Sequence, residues 1–529
     1  MRFIPLILVL ILIVACIALG KTVWFHFYWG LLLLVPLGLL GIWDLLQTRH
    51  SITRNYPILA HFRFLLEDIR PEVRQYFVES DIDGRPFSRD QRSLIYKRAK
   101  NIEGLKPFGT ELDVYGQEYE WLNHSMAPKS KSKEPFRTDV GGSACSQPYS
   151  CSLLNISAMS FGAISPNAIL ALNEGARRGG FYHCTGEGGL SPYHLKNGGD
   201  LVWQIGTGYF GCRRDDGTFD ADLFEEQSRS NAVKMIEIKI SQGAKPGHGG
   251  VLPAAKITPE ISRTRKVPMG QDCISPPSHS MFDSPRGLCE FVALLRERSG
   301  GKPIGFKLCV GHIGEVLAVC KAMLETDILP DFITVDGAEG GTGAAPLEFS
   351  DSLGTPLKGG LMMVHNSLVG CNLRERIKVA ASGKITSAFS VAQNLAIGAD
   401  WCNSARGFMM AVGCIQAQSC HTNRCPVGVA TQDRWRQRSL HVPDKSERTY
   451  RFHYKTMEAL TEIVAAAGLE HARELRPWHV CLRKDRTTVV TYDEAFRFLE
   501  PGDLLQGCDH PFFQKPWETA TADSFRAKG

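Results

Sequence analysis

The chain has no basic tract interleaved with aromatics: its 60 Lys and Arg are scattered among 55 Asp and Glu, and the net charge is only +5. That distribution excludes a nucleic-acid partner gripped through its phosphates. A dinucleotide fingerprint is missing as well. GTGYFG (206–211) satisfies G-x-G-x-x-G, but CRRDDGTFD follows it, a turn rather than a helix, with no strand-helix-strand unit around it. No nicotinamide site is read from it. Nor do the 16 cysteines form a secreted disulfide pattern; they are dispersed through apolar runs such as FKLCVG and EVLAVCKAM, as buried thiols in a reducing compartment are.

Three cysteines break that dispersion. Cys414, Cys420 and Cys425 crowd into GCIQAQSCHTNRCPVGVATQ (413–432), a Pro follows the last, and no fourth lies nearby, Cys402 being twelve residues upstream. A structural zinc site wants four ligands in closely spaced pairs, which C-x5-C-x4-C does not offer. Soft thiolates favour an iron-sulfur cluster, and a three-iron cluster needs only three protein ligands. Three unligated thiols in an Ala/Gly-rich turn, or a zinc scaffold, are the competing readings.

At 529 residues the chain can bury a large core and holds more than one structural unit. Residues 3–19 and 23–43 carry no charged side chain apart from His26 and are each about long enough to cross a bilayer. Only Gly20, Lys21 and Thr22 separate them, so they read as a transmembrane helical hairpin (1–46). Arg2 on one side and Arg49, His50 and Arg54 on the other, against Lys21 alone in the turn, place both ends, and the catalytic domain, on the cytoplasmic side of the inner (cytoplasmic) membrane. A cleaved signal peptide, or a lipoprotein signal ending at Cys16, competes with this reading. Residues 47–150 read as a connector and cover, with amphipathic helices in HFRFLLEDIRPEVRQYFVES (61–80) restarting at Pro71, and an exposed basic loop at 124–142.

From about residue 150 short β-rich runs alternate with helical stretches, the pattern of parallel α/β architecture. Candidate strands fall at 153–159, 180–185, 235–241, 272–277, 303–309, 331–337, 377–383 and 400–405. Eight is the number that a TIM (β/α)8 barrel requires, and in such a barrel the functional residues follow the strands at the C-terminal face. The loops after the last two strands, SGKI (382–385) and SARGF (404–408), offer Gly383 and Gly407 for close backbone approach to a phosphate, with Lys384 and Arg406 supplying charge. Glycines that merely turn the chain, beside solvated cations, are the plainer alternative. Lys239, Gln242 and Lys245 in KISQGAKPGHGG (239–250), with Arg265 in SRTRK, supply the cations and amide donors that a dicarboxylic keto acid needs, although each is also an ordinary loop charge.

AMSFGAISPNA (158–168), CTGEGGLSP (184–192), IKISQGAKPGHGGVLPAAKIT (238–258), ISPPSHSMFD (274–283), VDGAEGGTGAAPL (335–347) and the cysteine loop resemble, in the same order, the synthase domain of the glutamate synthases, over roughly residues 150–470. The resemblance implies an FMN-binding barrel with a 3Fe-4S cluster on Cys414, Cys420 and Cys425. It implies reductive amination of 2-oxoglutarate to glutamate, with electrons from ferredoxin or another external carrier. Lys307, ending the fifth strand, then sits near the flavin N1/O2 edge, with Ser160 and the GGTG turn (Gly340, Gly341, Thr342, Gly343) against the ring, and Gly383, Lys384, Arg406 and Gly407 at its phosphate. Glu187 resembles the family's acidic residue at the ammonia chemistry, where it binds ammonium or assists proton transfer beside Gln242 and Lys245; Lys239 and Arg265 complete the substrate set.

Departures limit that reading. NSAR (403–406) replaces a GFGT-like stretch, and His248 stands where relatives carry an acid in AKPGEGG. Family members that cleave glutamine begin with a glutaminase domain, so this chain is expected to use free ammonia, a partner amidotransferase or an amine. A non-catalytic electron-transfer or sensory subunit, or a synthase of N-substituted glutamates, is the alternative. The expected organisation is a hairpin (1–46), a connector (47–150), the barrel (151–470) and an appendage (471–529).

Overall fold

The computed structural model describes residues 2–526. The chain divides into two compact units, with the boundary between Asp90 and Gln91.

The first unit opens with helix α1 (Ile4–Thr22), a 3-10 turn (Phe25–Gly30) and helix α2 (Leu31–Leu46). Ile4–Thr22 and Phe25–Leu46 are long and apolar enough to cross a membrane. Glycines let the two helices close on each other: a Cβ on Gly38 would lie 3.1 Å from Ile13 Cδ1, and one on Gly41 2.5 Å from Leu6 Cδ1. The reversal falls at Val23–Trp24, not at residues 20–22, because the apolar helix propagates through Gly20 and Lys21. Short helix α3 (Ser51–Asn55) and helix α4 (Leu59–Val73) follow. Pro71 does not restart a helix. It lies inside α4, and the turn beyond it widens to a π-helix over Arg74–Val78, a local loosening suited to a ladder that has lost one N–H.

The second unit is built on a closed barrel of eight parallel strands: β1 (Leu154–Ile156), β2 (His183–Cys184), β3 (Leu201–Ile205), β4 (Val233–Lys239), β5 (Ile304–Leu308), β6 (Phe332–Asp336), β7 (Lys378–Ser382) and β8 (Trp401–Ser404). Each strand pairs with its sequence neighbours, and β8 closes on β1 with Cys402 opposite Leu154. The order differs from the sequence expectation at one place. LVWQI, buried at every position, supplies β3, whereas the expected strand at 272–277 contributes only Cys273–Ile274 to an antiparallel pair with Val251–Leu252, outside the barrel. That pair belongs to the long excursion between β4 and β5.

Local chemistry fixes where the outer helices begin. Ser165, Ser284 and Ser387 accept the N–H of Ala168, Gly287 and Ser390, and the first two are followed by Pro at the first helical position. Helix Pro166–Gly179 packs on the 25-residue helix Val442–Ala466 so closely that a Cβ on Gly175 would lie 2.5 Å from Thr449 Cβ.

Residues before and after the barrel meet in a three-stranded antiparallel sheet of Glu120–Leu122, Val480–Arg483 and Val489–Thr491. Glu120 fastens this sheet to the barrel helices: it pairs with Lys358, accepts from Gln393 Nε2 at 2.6 Å and from Tyr492 OH at 2.8 Å. Glu120→Ala removes one charged acceptor from three donors. It is expected to lower stability by about 2–3 kcal/mol, read as a shift in the urea midpoint.

Candidate functional site

The C-terminal ends of the strands open into one cavity, and its walls include Ser160, Glu187, Lys239, Gln242, Lys245, Arg265, Lys307, Gly341, Gly343, Gly383, Lys384, Arg406, Gly407 and Cys420. Every candidate residue read from the sequence therefore converges here except Cys414 and Cys425. Separate loops deliver them: Ser160 after β1, Glu187 after β2, Gln242 and Lys245 after β4, the glycine turn after β6, and Gly383 through Gly407 after β7 and β8.

The floor is unusually charged. Lys239 and Lys307 lie side by side in register on β4 and β5, a repulsive arrangement in a dry interior unless opposed. Glu187 Oε1 is 2.9 Å from Lys239 Nζ, and Asp336 Oδ2 is 3.9 Å from Lys307 Nζ. Glu237, facing inward from β4, accepts from Gln204 Nε2 and Thr334 Oγ1, both at 2.6 Å. Burial lowers the Lys239 pKa, with Glu187 opposing the shift. Burial also acts against the Lys307 ammonium, but Asp336 and Glu237 outweigh it and hold the pKa above the usual lysine value. For Glu187 burial favours the neutral acid, and Lys239, Arg265 and Lys245 overcome it, so the carboxylate stays ionised.

Close backbone contacts position Glu187. Gly186 adopts φ +67°, and a Cβ there would lie 2.6 Å from Ser160 N. A Cβ on Gly206 would come within 2.7 Å of Glu187 Cβ, and one on Gly250 within 2.2 Å of Glu187 Oε1. The first glycine of GTGYFG thus makes room for a carboxylate side chain.

Arg265 is 4% exposed. It donates through Nη2 to Phe161 O at 2.7 Å and lies over the Phe210 ring, while its Nε has no partner among the described residues. A buried, undersatisfied guanidinium lining a cavity suits a carboxylate ligand. Burial, then repulsion from Lys239, lowers Lys245 to about 8. Lys256, in the same wall and singled out by nothing local in the sequence, donates to Ala163 O at 2.9 Å. His248 lines a smaller cavity that shares Glu187, Lys239, Gln242 and Gly250 with the main one; its Nδ1 is 2.9 Å from Gly249 O and its ring meets Phe349 edge-on.

Arg406 reaches past the phosphate-type loops. It donates through Nη2 to Thr342 O at 2.8 Å, and Nη1 is 3.9 Å from Cys420 Sγ. Gly407 serves packing, since a Cβ there would lie 2.6 Å from Ser404 Oγ and 3.2 Å from Phe452. In the cysteine loop, Gln416, Gln418 and Asn423 take left-handed conformations, and Tyr96 OH donates to Cys414 O at 2.7 Å. Burial raises the Cys414 thiol, and Cys420 and Cys425 add to the rise. Among the described residues no three His, Cys, Asp or Glu side chains are gathered closely enough to hold a metal ion. What suits the loop to a cluster is donor type alone, three soft thiols, and Arg406 Nη1 lies 3.9 Å from one of them, Cys420 Sγ.

The fold and site define a (β/α)8-barrel protein with a charged cavity at the C-terminal mouth. A conserved region in glutamate synthase matches residues 135–470, and the chain belongs to the glutamate synthase family. It is 36% identical over 488 residues to the glutamate synthase large subunit-like protein YerD of Bacillus subtilis (strain 168), covering 84% of this chain and 92% of that protein. It is 33% identical over 328 residues to the archaeal-type glutamate synthase (NADPH) of Thermotoga neapolitana, but covers only 61% of that protein and 62% of its own length. Among solved structures, a flavocytochrome b2 with sulfite bound overlays at a TM-score of 0.44 and 14% identity, covering 85% of this chain and 90% of that one.

Proposed function

We propose that the chain is a membrane-held, glutamate-synthase-type oxidoreductase that binds FMN and a 3Fe-4S cluster and reductively aminates 2-oxoglutarate to glutamate. The observation that carries this reading is the buried Glu187–Lys239 pair at 2.9 Å, in one cavity with Lys245 and the unpartnered Nε of Arg265. FMN, when bound, supplies hydride, and the cluster supplies one-electron transfer from ferredoxin or another external carrier. Lys307, the Gly341–Gly343 turn and the loops at Gly383–Lys384 and Arg406–Gly407 are the residues that would hold FMN; Cys414, Cys420 and Cys425 would hold the cluster.

The chain's own residues do the rest. Arg265 and Lys245 take the two carboxylates of the keto acid, and Gln242 supplies an amide donor. Glu187, kept ionised by its cationic neighbours, binds ammonium or assists proton transfer in the cavity, while the excursion between β4 and β5 supplies part of the wall. Ammonia comes from solution or from a partner amidotransferase. The two apolar N-terminal helices hold the protein at the cytoplasmic membrane, with the barrel on the cytoplasmic side.

The test is anaerobic incubation of the intact chain with reduced ferredoxin, 15N-ammonium and 2-oxoglutarate. Labelled glutamate is the expected product, and its absence from protein that carries bound flavin overturns the reaction assignment. The charge on Lys245 adds a pH signature. Its ammonium is charged below about 8 and neutral above, so carboxylate binding is complete at lower pH and lost as pH rises. The KM for 2-oxoglutarate is expected to climb about tenfold from pH about 7 to pH about 9, and Lys245→Arg to shift that climb to higher pH.

A further inference from the structure

Helix α4 carries an apolar stripe with no partner among the described residues. Phe62, Leu66, Ile69 and Val73 recur at helical spacing, and Phe77 extends the row past the π turn. All are exposed, Phe62 at 63% and Phe77 at 85%. The opposite face is already seated: Ala60 is buried and the Phe64 ring packs against His50. So the stripe points away from the packing of its own unit. Arg63 and Glu67 pair along the flank at 2.9 Å.

A second observation says what covers the stripe. Asp44, in the last turn of α2 and 2% exposed, contacts His61 Nε2 through Oδ1 at 2.9 Å and accepts Ile58 N–H through Oδ2, also at 2.9 Å. This clamp ties the start of α4 to the point where the second apolar helix ends. A helix fixed there lies at the level of the lipid headgroups if α2 spans a bilayer. Residues 49–78 also hold five arginines against three acidic residues, Glu67, Asp68 and Glu72, a balance that favours an anionic lipid surface.

We infer that α4 is an interfacial helix whose stripe inserts into the headgroup–acyl boundary of an anionic membrane. The inference rests on the membrane reading of α1 and α2 and goes beyond it: the chain lies on the bilayer as well as crossing it, and this fixes the depth at which the connector leaves the lipid.

The test uses the full chain in vesicles of phosphatidylcholine and phosphatidylglycerol, with p-benzoylphenylalanine placed singly at Phe62, Leu66 or Phe77, at Asp68 on the polar side, or at Leu33 in α2. Lipid adducts are read by mass spectrometry after irradiation. The expected result is adduct formation at Leu33 and at the three stripe positions, with yields about tenfold above that at Asp68. Adducts at Leu33 without adducts on the stripe, or equal yields on the stripe and at Asp68, overturn the interfacial helix and leave the spanning helices intact. No adduct at Leu33 overturns the membrane reading itself, and the inference with it.

Discussion

Replacing Glu187 with Gln is expected to lower kcat/KM for 2-oxoglutarate and ammonium by about a thousandfold in protein that still folds. The carboxylate is hemmed in, its Oε1 2.9 Å from Lys239 Nζ and its flanks against Gly206 and Gly250. Gln preserves the shape but removes the charge, leaving Lys239 in register with Lys307 and facing an amide that cannot accept a proton. Burial already depresses Lys239, and without Glu187 the ammonium loses its main opposing charge. Glu187→Ala goes further and leaves a buried cation unpaired, at a cost of about 3–5 kcal/mol in stability. The pH dependence follows from the sign of the shift: Glu187 has a lowered folded-state pKa, so its stabilising contribution is complete above the unfolded carboxylate pKa and is lost as pH falls through the folded value. Glu187→Gln removes that acid-sensitive increment. Gly250→Ala provides an independent check, because it retains the carboxylate but drives a Cβ to 2.2 Å from Oε1. Steady-state kinetics on both variants decide the matter, and wild-type kcat/KM in Glu187→Gln would exclude the carboxylate from the chemistry.

What was legible in the sequence is explained by which residues carry signals locally. β5 and β6 read clearly because each apolar run carries a polar residue of the cavity at or next to its end, Lys307 in FKL and Asp336 in ITVD. β3 is obscured in the sequence because LVWQI runs directly into GTGYFG, whose glycines suggest a turn motif of their own; that the first of them makes room for Glu187 is visible only once β2 and β3 are adjacent. DCISPP reads as a strand by composition, yet it sits in the excursion after β4, where it pairs with one short segment and never reaches the barrel. The site residues came mainly from family motifs, and those motifs omit what only folding brings close. Lys256 lies in a 3-10 turn well past the end of β4 in the chain, so nothing local announces that it joins the wall. Glu237 did leave a clue, a carboxylate within MIEIKIS two residues before Lys239. Alternation puts both on the inner face, where Gln204 and Thr334 satisfy it.

Serine at Cys414, Cys420 or Cys425 is expected to reduce bound iron about tenfold or more and to abolish glutamate formation driven by reduced ferredoxin. Hydrogen bonds hold the loop in place. Tyr96 holds Cys414 O, Asn423 Nδ2 donates to Ala255 O at 2.9 Å, and Thr431 Oγ1 donates to Asn423 O at 2.6 Å, so a substitution changes the donor without freeing the chain. A serine hydroxyl keeps the size but not the soft, polarisable ligand that iron in a sulfide cluster prefers. Arg406 joins this loop to the glycine-turn side of the cavity, close to Cys420 Sγ and donating to Thr342 O in the β6 turn. Iron held by the three thiols would therefore lie beside the wall that the glycine turn forms. Cys402 is the internal control: it is fully buried on β8, burial drives its thiol far above the ordinary value, and it packs as a small apolar side chain. Cys402→Ser should lower stability and leave iron content unchanged. Iron and sulfide analysis with anaerobic absorption spectra separates the readings: loss of iron in the three loop variants and retention in Cys402→Ser assigns the ligands, full iron in all four places the metal elsewhere, and colourless protein holding zinc returns the loop to a scaffold role.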